Sequence, residues 1–172
     1  REALNRLAFE GALIAKPQRG YFVRPLSLEE FDQIYDLRPL LDPEALRVGG
    51  IPGAAQIEKL EKLNAKIAHA RGEAAIKLDD EWHLTLIDAC PNRVLIEFIE
   101  NIMLRTRRYE LALFRETSSV VQTTDDHARI LAALRRSDLA AACAALKQNM
   151  QGGMGPIAAW LNTRAVSAKR RQ

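Results

Sequence analysis

Asp79 and His83 stand four residues apart in the stretch KLDDEWHLTL, a spacing that puts a carboxylate and an imidazole on one face of a helix. Both are donor types that first-row divalent metals accept, and i, i+4 is the spacing at which a single helix offers two of them. On a wheel of about 100° per residue with Asp79 at zero, Ala75, Ile76, Trp82, Leu86, Ile87 and Cys90 fall within roughly 80° of it. His83 lies near the centre of that arc, while Lys77, Asp80, Glu81 and Asp88 are expected on the far, solvent side. An ionised carboxylate facing the core is costly unless a partner compensates it.

Three further positions bear on the same chemistry. His127 falls among Val120, Ile130, Leu131 and Leu134 on its own wheel, and Asn149 lines up with Ala142, Ala145 and Leu146. Arg38 sits among Phe31, Ile34, Leu41 and Ala45, with Asp42 one turn further on. Each has a purely structural alternative. An inward histidine can be a hydrogen-bonded core residue, Arg38 and Asp42 can satisfy one another as an i, i+4 pair, and Asn149 can cap a loop. His69 has no inward carboxylate at helical spacing and is read as structural. Two imidazoles and a carboxylate aimed inward from separate helices suggest a metal site, and the spacing alone leaves both readings open.

The elements that must position these residues fall into two parts. Residues 1 to 10 repeat apolar residues at helical spacing until Gly11 stops them, and two short β-prone runs, 12–16 and 21–24, flank a Pro-Gln-Arg-Gly turn. A helix followed by a small hairpin is the back half of a winged helix. The alternative is a stray helix and hairpin packed on the larger part. SLEE at 27–30 then reads as a capping box, with Ser27 as N-cap and Glu30 reaching back to it. Helices are expected near 28–48 (kinked at Pro39 and Pro43), 54–70, 73–90, 92–116, 119–136, 138–151 and 156–167, ahead of a frayed KRRQ tail. Short connections favour an antiparallel bundle of six to seven helices. The fold class is therefore all-α, with residues 1–25 as a winged-helix remnant and 26–172 as the helical domain.

The bulk numbers fit that picture. The 172 residues are 48% hydrophobic and 27% charged with a formal net charge of +3, a globular composition without the signature of disorder. Cys90 and Cys143 lie in apolar helical runs without CxxC spacing and read as packed free thiols of a reducing cytoplasm. No apolar run approaches the roughly 18 residues of a membrane span. A pI near 9.0 permits nucleic-acid contact without arguing for it, since the basic residues are spread along the chain.

Four segments in order resemble the GntR family of bacterial transcription regulators, in the FadR-like branch with an all-helical FCD effector domain. REALNRLAFEGALIAKPQRGYFVRPLSLEEFDQIYDLR is similar to that family's junction of recognition helix, wing and first effector helix. DDEWHLTLIDACPN is similar to its D-x-x-x-H segment, DDHARILAAL to its later histidine segment, and AAACAALKQNM to the last, which usually ends in a histidine. The resemblance implies that Asp79, His83 and His127 are metal ligands and that Asn149 stands where the fourth, a histidine, is usual. An amide oxygen is a weaker and harder donor than imidazole, so the metal is left open among Zn, Ni and Mn. It also implies that Arg38 helps hold a small organic acid effector, a task suited to a guanidinium fork. Arg1 matches a DNA-contacting arginine of the recognition helix, and Arg19 and Gly20 the wing tip.

The function implied by this resemblance is that of a cytoplasmic, ligand-responsive regulator. A homodimer would read operator DNA through the full-length winged helix, and an effector would shift the placement of its DNA-binding heads. The first two helices of a winged helix are missing from this chain, so the chain alone is expected to bind operator weakly or not at all. Leu104 and Leu111, with Phe114 nearby, lie opposite the Leu95–Ile102–Tyr109 stripe and are the expected partner surface. Two alternatives remain. A metalloenzyme acting on a small carboxylate would need a general base, and no inward Glu accompanies His83. A metal-independent regulator with, for example, a fatty acyl effector is kept open by Asn149.

Overall fold

The computed structural model describes residues 1–117 and 124–169, with side chains through residue 164. The chain opens with α1 (Glu2–Phe9) and an antiparallel hairpin of β1 (Leu13–Lys16) and β2 (Gly20–Val23), paired Leu13 to Val23 and Lys16 to Gly20. Gly11 joins helix to hairpin at φ +78°, a left-handed conformation that favours glycine. Among the described residues the remaining elements are helices: α2 (Leu28–Tyr35), α3 (Arg38–Gly49), α4 (Ala54–His69), α5 (Glu73–Ile87), α6 (Arg93–Thr117), α7 (Thr124–Arg135), α8 (Leu139–Gly152) and α9 (Met154–Lys169). The described residues form an all-α bundle preceded by a small two-stranded sheet.

Two apolar cores hold the bundle. The larger joins α3, α4, α5, α7 and α8 with the first half of α6, around Leu46, Leu60, Trp82, Leu86, Ile99, Ile130, Leu134 and Leu146. The smaller joins α2 and α9 to the second half of α6 through Phe31, Tyr35, Tyr109, Leu113, Ile157 and Trp160. The long helix α6 therefore belongs to both. Each of these large side chains is removed from water almost completely, which stabilises the fold by about 1.5–3 kcal/mol apiece before the cost of ordering it.

The structure departs from the sequence reading in three places. The helix expected over 28–48 is two helices, because Asp36 and Leu37 form a turn and Pro39 falls in the first turn of α3. A proline needs no N–H there, so Pro39 starts a helix instead of kinking one. Pro43 does lie inside α3. The capping box is only half made: Ser27 Oγ accepts from the Glu30 amide at 3.2 Å, but the Glu30 carboxylate turns away to α6. Asp80, expected in solvent, is 7% exposed, because α6 packs over that side of α5 and Arg107 covers it. Val120, the proposed start of a helix at 119 and the end of the KRRQ tail lie outside the described residues.

Candidate metal and effector site

Asp79 and His83 come from α5 and His127 from the first turn of α7, and the three side chains meet. Each offers one donor atom, and those atoms lie within 4.8 Å of one another. The Nε2 atoms of His83 and His127 are 3.3 Å apart; Asp79 approaches the first with Oδ2 at 3.6 Å and the second with Oδ1 at 3.5 Å. Separations of that size are what bonds of about 2.0–2.3 Å to one shared ion require. Asp79 is less interior than its wheel suggested, with a side chain 27% exposed, so the triad sits at the edge of the core with its carboxylate toward the outside.

The imidazoles are built for the neutral state. Burial pushes His127 down to about 3, with Asp126 opposing the shift. Burial also holds His83 well below the usual histidine range, helped by His127 and Arg38. Neutral imidazole is the form that ligates. Tautomer and ring plane are fixed as well. Asn64 on α4 donates through Nδ2 to the Thr124 carbonyl at 3.1 Å, which leaves its Oδ1 to accept from His127 Nδ1 at 3.1 Å. The proton of His127 is thereby held on Nδ1, and Nε2 presents a lone pair to His83 and Asp79. Trp82 stacks on the His127 ring at 3.8 Å with the planes 6° apart, stands edge-on to His83, and is itself tethered by Nε1 to the Leu60 carbonyl.

Asn149 lies on α8, which packs along α7, and is 3% exposed. Neither its amide nitrogen nor its amide oxygen has a hydrogen-bond partner in the structure. Leaving such a group unpaired in the interior costs about 1–3 kcal/mol, a cost that a bound species within reach of the amide would relieve. The three residues that meet fit a divalent ion, with two neutral nitrogens and one carboxylate.

Arg38 is buried on α3 and bonds Asp42 Oδ1 through Nη2 at 2.8 Å, leaving its Nε and Asp42 Oδ2 unpartnered. Burial works against the guanidinium charge, but Asp42 outweighs it and keeps the group firmly cationic. The i, i+4 pairing anticipated as an alternative is therefore present, although one-armed. A groove of about 700 Å³ bordered by Gln56, Lys59, Lys77, Asp80, Glu81 and Arg107 runs along α4 and α5, and Arg38 does not line it. Among the residues expected to face DNA, Arg1 is the exposed N-cap of α1, Arg19 lies in the exposed hairpin turn, and Gly20 opens β2 at φ +92°.

Sequence reasoning missed several residues here. Tyr35 donates to Glu110 Oε1 at 3.0 Å, and burial, then Asp80 and Asp79, push the Glu110 carboxyl up to about 7. Asp80 is gripped by Arg107, and its carboxyl is nonetheless raised by burial. Glu110 escaped notice because its helix places Tyr109 and Leu113 in the core beside it, and a wheel centred on them leaves it at the edge. Asn64 had a signal, a lone amide on the inner side of an otherwise Leu/Ile stripe, though nothing local tied it to His127.

Residues 33–152 match the FCD domain family, and the chain belongs to it, in the GntR-type setting that the sequence resemblance implied. It is 31% identical over 111 residues to the Nta operon transcriptional regulator of Aminobacter aminovorans, covering 62% of this chain and 53% of that protein. It is 27% identical over 165 residues to the HTH-type transcriptional repressor GlaR of Escherichia coli strain K12, covering 87% and 74%. A crystal structure of a GntR family regulator from Pseudomonas syringae pv. tomato superposes with a TM-score of 0.74 at 23% identity, over 98% of this chain and 72% of the other. The chain thus spans about half the length of the first of these relatives. Both curated relatives are transcriptional regulators by name.

Proposed function

We propose that this chain is the effector-sensing part of a ligand-responsive transcription regulator, in which Asp79, His83, His127 and Asn149 hold a divalent metal and Arg38 helps bind a small organic acid. The observation that carries the reading is the meeting of Asp79, His83 and His127 within 4.8 Å, with both imidazoles neutral. The metal would supply a fixed positive charge that attracts an effector carboxylate. Zn²⁺, Ni²⁺ and Mn²⁺ all suit a set of two nitrogens and two oxygens, and the amide oxygen of Asn149 tilts the balance toward the harder Mn²⁺. Arg38 would offer its unpaired Nε to the effector, or trade Asp42 for it.

Residues 1–25 would form the rear of a winged helix, with Arg1, Arg19 and Gly20 toward operator DNA. The regulator would act in the cytoplasm as a homodimer; no helix among the described residues is long and apolar enough to cross a membrane. The dimer surface would lie on α6, where Leu104 is 38% exposed and Val94 and Phe98 are 61% and 62% exposed. Leu111 is half-buried, and Phe114 is less available than expected because its ring lies against Gly72, where a Cβ would come within 2.6 Å of it.

Thermal unfolding with a panel of small carboxylic acids, with and without Mn²⁺ or Zn²⁺, tests the reading. At least one acid should raise Tm only when metal is present, and Asp79→Ala should abolish the shift. Metal-independent shifts that survive Asp79→Ala would support the metal-free regulator instead.

A further inference from the structure

The helix-and-hairpin unit is joined to the bundle by more than the chain that connects them. The Gly11 carbonyl, at the bend between α1 and β1, accepts from Arg24 Nε at 2.8 Å and from Arg108 Nη1 at 3.0 Å. Arg108 Nη2 donates to the Arg24 carbonyl at 2.6 Å. One guanidinium on α6 thus grips both ends of the hairpin, Gly11 before β1 and Arg24 after β2. Its neighbours complete the joint. Arg105 bonds Glu30 at 2.6 Å, and its side chain lies so close to Gly11 that a Cβ there would meet it at 3.2 Å. Tyr109 bonds Glu30 at 2.8 Å and the Ser27 carbonyl at 3.2 Å. Turned away from its cap, Glu30 serves this joint.

The same stretch of α6 also reaches the helix that carries Asp79 and His83, and Glu110 feels the charges of Asp80 and Asp79. Arg107 holds Asp80, the residue beside Asp79, and Glu110 accepts from Tyr35. Within six residues, 105 to 110, Arg105, Arg108 and Tyr109 hold the hairpin and the start of α2, while Arg107 and Glu110 bond Asp80 on α5 and Tyr35 on α2. A helix is stiff over so short a span, so a displacement imposed at Arg107 or Glu110 reaches Arg108 nearly undiminished.

From this geometry we infer that Arg108 is the positioning residue that clamps the DNA-facing unit to α6, and that through α6 the clamp answers to what occupies the Asp79–His83–His127 site. The second half rests on the metal-site reading above; the first does not. An isolated two-stranded hairpin is marginally stable, so loss of its anchor should loosen it.

Hydrogen–deuterium exchange of the chain tests the inference, read at the amides of residues 12–24 and, as a control, in α7 and α8. Arg108→Ala should speed exchange of the hairpin by on the order of tenfold or more while the control helices stay as in the wild type. Arg108→Lys, one ammonium in place of a two-armed fork, should fall between. Saturating Mn²⁺ should change hairpin exchange in the wild type and not in Arg108→Ala, although both bind Mn²⁺ with affinities within about twofold. Wild-type exchange rates in the Arg108→Ala hairpin would overturn the clamp, and a Mn²⁺ response that persists in that variant would overturn the coupling. A wild-type chain that takes up no Mn²⁺ or Zn²⁺ would refute the metal-site reading and the coupling with it, while the metal-free comparison of Arg108→Ala still decides the clamp.

Discussion

Breaking the Arg38–Asp42 pair should be costly, and removing it whole should not. The two side chains are 8% and 1% exposed and share one bond of 2.8 Å, so each charge is desolvated and depends on the other. Asp42→Ala strands a buried guanidinium and Arg38→Ala a buried carboxylate, each at about 3–5 kcal/mol. For a chain of this size that is a fall in Tm of roughly 10–20 °C. The double variant Arg38→Met/Asp42→Leu fills the same space with hydrocarbon and should lie within about 1 kcal/mol of the wild type, or above it. Urea unfolding of the four proteins gives the coupling energy directly, with constant m-values guarding against a changed unfolded state. Single variants costing less than about 1 kcal/mol, or a double variant as unstable as the two singles combined, would show that the pair is hydrated and that the reasoning fails. If the double variant is stable and deaf to carboxylates, stability was not the reason for an arginine at 38.

Three further outcomes are expected at the site. Asn149→His should tighten Zn²⁺ by about an order of magnitude or more in chelator competition, and equal affinities would remove Asn149 from the ligand set. Asn64→Leu should weaken Zn²⁺ by about 10- to 100-fold and, in the metal-free chain, shift the ¹⁵N spectrum of His127 away from the Nδ1–H tautomer; an unchanged tautomer refutes the role given to Asn64. In the metal-free chain Glu110 keeps its proton to about 7, against an ordinary 4.5. With its pKa raised by folding, the group's contribution to stability is fully present below the lower value and is lost as pH rises through the upper one, so Glu110→Gln should stabilise the chain at pH 8 by at most about 3 kcal/mol and hardly at all at pH 4.5. Parallel stability–pH curves for the two proteins would contradict the burial of that carboxyl.

The sequence carried the helices and the facing of His83, His127 and Asn149 well, because each is a matter of period within one helix, and it set Asp79 deeper than it lies. Where a second helix decides the outcome, it carried less. Asp80 lies only about 100° from Asp79 on the wheel, at the rim, and whether a rim residue is buried depends on what packs there. Here it is α6 with Arg107. Glu30 satisfied a local capping pattern yet was taken by Arg105 and Tyr109, 75 and 79 residues away in sequence. The turn at Asp36–Leu37 was signalled by Pro39, which fits a helix start as well as a kink. Asn64 and Arg108 act on partners 63 and 97 residues away, distances that no helical period encodes.

The most direct test of the metal-sensing claim is anomalous diffraction from crystals of this chain grown with Mn²⁺ or Zn²⁺. One strong peak per chain is predicted, bonded at about 2.0–2.3 Å to an Asp79 oxygen and to Nε2 of both His83 and His127, with Asn149 turning its amide oxygen toward it. An ordered, empty triad beside metal bound elsewhere on the surface would contradict it.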